Sequence, residues 1–156
     1  MTRAALFVRW VLGISAIVFL LLGLAFTFIP ATMIPAMDIN AEPGKALADI
    51  RAVYGGLDLA IGILLAFFFF RREWATGLAV STLVCTCLFA GRLVGIVWDP
   101  ARDILTFSLF AAEVLGAVLS GVAWFLARQP EPSEPEVTTP TYSASPENTQ
   151  SPETNA

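Results

Sequence analysis

The chain has 156 residues, 56% of them hydrophobic and 14% charged, with no histidine, two cysteines and a formal net charge of −4. A mean hydropathy of +0.72 puts it in the membrane class and leaves no room for a separate soluble catalytic domain. Lacking histidine, it cannot run a Ser-His-Asp mechanism, and no phosphate loop, nucleotide fingerprint or basic nucleic-acid surface is present.

A membrane-spanning helix needs about 20 mostly apolar residues, and four stretches qualify: residues 6–29, 52–70, 74–97 and 104–127. The expected fold is an all-α, integral membrane four-helix bundle formed by residues 1–128. The first stretch follows Arg3 and Arg9 and superficially resembles a signal peptide. Its apolar run is too long and no small-x-small cleavage site follows promptly, so it reads as a retained helix. With no charge after Arg9, this helix is expected to be the most peripheral, or the one that faces another subunit. The connection from Pro30 to Asp49, with its three prolines and an apolar ATMIPAM stretch, is expected to lie along the outer interface as a cap, the alternative being a lid over the polar cluster.

The remaining spans carry polar stripes when read at about 100° per residue. On the second, Arg51, Tyr54, Gly55, Asp58 and Gly62 share one face, opposite Val53, Ala60, Leu64 and Phe67. The third aligns Ser81, Cys85, Arg92 and Asp99, and Gly91 and Gly95 have the spacing that lets membrane helices approach closely. Cys85 and Cys87, two apart on a helix, point to opposite sides and cannot chelate one metal or pair with each other. With no CxxC and no histidine, neither a metal site nor a cofactor is expected. The fourth span places Thr106, Glu113, Ala117 and Ser120 on one face.

Residues 129–156 hold five acids and no base and are rich in Pro, Ser, Thr and Glu, whereas residues 1–128 hold nine basic and eight acidic residues, a net of +1. The tail cannot bury enough apolar surface to offset its ordering entropy and is expected to be disordered. Arg3 and Arg9, Arg71 and Arg72, and Arg128 all fall on one side of the four spans, facing Lys45 and Arg102 on the other. The positive-inside rule then puts both termini and the FFFFRREW turn in the cytoplasm. Trp10, Trp74, Trp98 and Trp124 lie near span ends, as interfacial anchors do.

Asp58, Arg92 and Glu113 lie within these apolar stretches. A charge at mid-bilayer costs about 2.5–3.5 kcal/mol on insertion scales, so such residues face a protein interior and find partners. At 1.5 Å rise per residue, Asp58 lies about 10 Å inward from Arg51, Arg92 about 9 Å from Trp98 and Glu113 about 15 Å from Asp103. All three therefore fall in the outer half of the bundle. Together they carry an excess negative charge, so either Arg51 reaches inward or one carboxyl group keeps its proton. In one reading Arg92 clamps two helices through carboxylates and Tyr54 and fixes their register. In the other, Arg51, Tyr54, Asp58, Arg92, Asp99 and Glu113 line an outward-facing binding site.

The run Asp49-Ile50-Arg51-Ala52-Val53-Tyr54-Gly55-Gly56-Leu57, followed by Leu59-Ala60-x-Gly62, resembles a signature of small bacterial four-helix membrane proteins. So do Gly91-Arg92-x-x-Gly95 with Asp99-Pro100, and Glu113 within the last helix. The family is domain-of-unknown-function family 4345. The resemblance covers the first span to Arg128 and implies a four-helix inner-membrane bundle, with no assigned activity. Asp58 lies outside the part of the pattern that carries the resemblance.

The function expected is non-enzymatic: binding of a lipid head group or small polar solute in the outward-facing polar cluster, in a bacterial cytoplasmic membrane. One alternative is an accessory or scaffold subunit of a larger membrane complex. Another is a small proton-coupled carrier acting as an oligomer. The expected partners are the lipid bilayer and, beyond it, further copies or a membrane-complex partner, with no nucleic acid.

Overall fold

Lipid offers backbone N–H and C=O groups no partner, so long stretches of Leu, Ile, Val, Phe and Ala must satisfy their hydrogen bonds internally. The computed structural model describes residues 3–36, 45–98 and 104–129, and these are helical apart from short connections. The long helices are α1 (Arg3–Phe28), α4 (Leu57–Arg71), α5 (Trp74–Trp98) and α6 (Ile104–Ala127), with short helices α2 (Pro30–Ala36) and α3 (Lys45–Ile50) between the first two. Between α3 and α4, Arg51–Gly56 forms a π-helical segment, so that one helical rod runs from Lys45 to Arg71. Asp99, residues 37–44 of the first connection and the tail from residue 130 lie outside the described residues.

Four helices are long and apolar enough to cross a membrane: Arg3–Phe28, Leu47–Arg71, Trp74–Trp98 and Thr106–Ala127. Only 11–22% of each apolar window is buried inside the monomer, and Ile17, Leu21, Ile63, Leu83, Val97 and Phe125 are among the many large apolar side chains left exposed. A water-soluble monomer does not present such a surface. The protein is a membrane protein, and its environment is a lipid bilayer.

The expectation that α1 is peripheral is overturned. α1 packs against α4, α5 and α6, and it buries Val8, Leu12, Ala16, Phe19, Gly23 and Phe26 at three- and four-residue intervals. Absence of charge gave the wrong inference because a fully apolar helix suits the centre of a bundle as well as its edge. Leu12, Leu65, Leu78 and Ala123, one from each long helix, are fully buried and form a single core layer.

α1 and α4 meet backbone to backbone in antiparallel register. A Cβ on Gly23 would lie 2.7 Å from Leu59 Cγ, and one on Gly62 would lie 2.7 Å from the Leu20 backbone nitrogen. Glycine is required there because any side chain would push the rods apart. Gly91 and Gly95 behave differently: a Cβ at either would meet nothing within 4 Å. Their spacing serves no contact within the described chain.

Pro30 stops α1, since proline lacks the N–H that would continue the ladder, and it begins α2, where a missing donor is harmless. α4 ends at Arg72, whose φ of 60° places it in the left-handed region. The N–H of Arg72 donates to the Phe69 carbonyl and that of Glu73 to the Phe68 carbonyl, closing the helix before α5 starts. Arg9 lies 5.6 Å from the Trp74 ring centre and Arg128 4.8 Å from that of Trp124. The first contact joins the start of α1 to the start of α5, and α6 runs antiparallel to α5, with Gly116 at Cys85 and Gly121 at Thr82, so Arg3, Arg9, Arg71, Arg72 and Arg128 lie at the same end of the bundle.

Candidate functional site

From the middle of the bundle, α5 and α6 converge because their facing residues are small. A Cβ on Gly116 would lie 3.1 Å from Cys85 Sγ, and one on Gly121 would lie 3.7 Å from Thr82 Cγ2. Ser120 is fully buried and turns its hydroxyl back to the Gly116 carbonyl, at 2.5 Å, so it adds no bulk or unmet polarity to the seam. Phe89 and Phe110 pack with ring centres 5.4 Å apart on the same pair of helices.

This approach sets Arg92 opposite Glu113. Arg92 Nε donates to Glu113 Oε2 at 2.9 Å and Nη2 donates to Oε1 at 2.7 Å. Both carboxylate oxygens accept, one from each arm of the fork, which is the bidentate geometry that lysine cannot reproduce. The side chains retain 27% and 13% of their surface, so the pair is mostly covered but not sealed. Arg92 lies about 9 Å from Trp98 and Glu113 about 14 Å from Ile104, along the helix axes. Water is scarce at such a depth, and the mutual attraction is correspondingly less screened.

Arg51 does not reach inward to this pair. It is exposed, and its Nε donates to the Thr27 carbonyl at 3.2 Å, near the end of α1. Tyr54 packs its ring against Phe26, with centres 5.6 Å apart, and keeps 42% of its surface. Gly55 is buried against Thr27, where a Cβ would lie 2.9 Å from the Thr27 nitrogen. The Asp58 carboxylate is half-buried and makes no hydrogen bond or ion pair among the described residues. The structure therefore brings Arg92 to Glu113, and Arg51, Tyr54 and Gly55 to the end of α1. Arg92 forks onto one described carboxylate, with Tyr54 engaged elsewhere. Asp99 lies outside the described residues.

Two features of the site were not visible in the sequence pattern. The RAVYGG run coils as a π-helix, a wider turn that is rare and frequent at functional sites. It breaks the 100° step on which the polar stripe was drawn, and so turns Arg51 and Tyr54 outward while Gly55, Gly62 and Leu65 stay buried. Thr27 and Gly23, on α1, supply the acceptor and the space that this segment needs. The adjacent glycines of the run were the available signal. Among the described residues no group of three metal-ligating side chains is present; Cys85 is buried and Cys87 exposed, both as free thiols.

Residues 7–124 match the family model described as Domain of unknown function (DUF4345). The chain belongs to this family. The match takes in all of α4 and α5, most of α1 and α6, the π-helical Arg51–Gly56 segment and the Arg92–Glu113 pair. No curated protein and no solved structure matches the chain.

Proposed function

We propose that the protein is a non-enzymatic, multi-pass protein of a bacterial cytoplasmic membrane that binds a lipid head group or small polar solute beside the Arg92–Glu113 pair. The observation that carries this reading is a bidentate ion pair set within apolar helices yet still partly exposed. Ionisable residues inside a membrane are costly and mark binding or transport paths. Arg51 and Asp58, on the neighbouring rod, supply further polarity in the same half of the bundle. The opposite end carries five arginines, so the positive-inside rule supports a cytoplasmic location for that end and for both termini. The polar pair then lies in the outer half.

A second reading is an accessory subunit of a larger membrane complex. The open faces of Gly91 and Gly95 favour it, since small residues facing outward allow another helix to approach closely.

Native mass spectrometry of protein released in mild detergent separates the two. A stoichiometric small-molecule or lipid adduct on the wild type, absent from Arg92→Ala and from Glu113→Gln, is the result expected. Bare protein in every sample, with a stable homo-oligomer or a co-purifying subunit, would favour the accessory role instead.

A further inference from the structure

The bundle carries an opening far from Arg92 and Glu113. It is a trough of about 460 Å³ between α1 and α4, near the arginine-rich end. Gly13, Ala16 and Ala66 are its small lining residues, beside Trp10, Phe69 and Phe70, and the Phe69 ring edges Gly13, where a Cβ would lie 3.4 Å from it. Arg9 lines the end nearest the helix start. The lining runs along α1 from Leu6 to Leu20, a span of about 21 Å at 1.5 Å per residue. That length suits one leaflet's hydrocarbon, half of a roughly 30 Å core, together with its interface.

We propose that this trough seats one anionic phospholipid of the arginine-bearing leaflet, with an acyl chain along Gly13 and Ala66 and its phosphate at Arg9. The polarity of the trough is that of a lipid: a cation at the interfacial end and an apolar channel below it. Charge selects the head group. Arg9 is the one charged side chain in the trough's lining. A guanidinium offers five N–H donors in a fork suited to phosphate. Stacking of Arg9 over Trp74 at 5.6 Å holds that fork at the mouth. A second copy of this bundle would bring apolar surface without the complementary charge, so a lipid is the better occupant.

Trp10 reports on the site directly, because it lines the trough and is exposed. The intact protein is placed in nanodiscs of equimolar phosphatidylglycerol and phosphatidylcholine, with brominated acyl chains on one lipid or the other. The Trp10 fluorescence is isolated by subtracting a Trp10→Phe variant. Brominated phosphatidylglycerol should be enriched at Trp10 about fivefold over brominated phosphatidylcholine, the preference of one surface cation for an anionic lipid. Arg9→Gln should lower this preference, and Arg9→Lys should keep it. Gly13→Leu, which leaves Arg9 in place but fills the trough, should weaken quenching by both lipids. Equal quenching in the wild type would overturn the proposal. So would a preference undiminished in Arg9→Gln, or full quenching in Gly13→Leu. None of these readouts depends on Arg92, so this seat and the polar site at the other end stand or fall separately.

Discussion

Arg92 and Glu113 are the residues on which the functional reading turns, and their geometry has consequences that lysine or glutamine would not reproduce. Two N–H···O bonds of 2.9 and 2.7 Å join α5 to α6. Removing one partner leaves the other charged and mostly covered, at a cost of about 3 kcal/mol. Thermal unfolding in detergent should therefore show Glu113→Ala well below the wild type, with Arg92→Lys between them because it keeps the charge and loses the fork. If both variants melt with the wild type, the pair contributes nothing to the bundle. Arg72 makes the opposite case. Its φ of 60° is unfavourable for a residue with a Cβ by about 1–2 kcal/mol. Arg72→Gly should therefore raise the melting temperature, and an unchanged or lower value would show that the arginine side chain matters more than the strain.

At the scale of elements, glycine acts in two ways that spacing alone does not distinguish. Gly23 and Gly62 let α1 and α4 touch through backbone, whereas Gly91 and Gly95 face open space. Gly62→Ala should therefore destabilise the protein by about 1–3 kcal/mol through overpacking. Gly91→Ala should be neutral or stabilising by up to about 1 kcal/mol from helix propensity. Equal losses in both would contradict the packing described. This contrast also shows what was legible in the sequence. The four spans were, because runs of about 20 apolar residues have few other uses. The Gly55–Gly62 face was also legible, because helical periodicity places those residues together on the buried side. The place of α1 at the centre was not, since it depends on which faces find partners. The π-helical turn at Arg51–Gly56 was not either, since it changes the period on which the reading relied. Arg92 and Glu113 could each be flagged as costly charges, but their pairing needed the register set by Gly116 against Cys85.

For the whole molecule, the arginines at one end and the polar pair toward the other give the bundle a direction. If the arginine end is cytoplasmic, a cysteine introduced as Ser133→Cys, in a chain lacking Cys85 and Cys87, should resist an impermeant maleimide in intact cells and react after the membrane is opened. Labelling in intact cells would invert the topology and turn the polar pair inward. The central claim is that Arg92 and Glu113 both clamp the helices and mark a ligand site. Exchanging them in one chain, Arg92→Glu with Glu113→Arg, is the measurement that tests it most directly, read by melting temperature and by native mass spectrometry together. The swap keeps an ion pair across α5 and α6 but moves the cation to the other helix. The melting temperature should recover most of what either single reversal loses, while the bound adduct stays absent. An adduct that returns with the melting temperature would mean that the pair only holds the helices together.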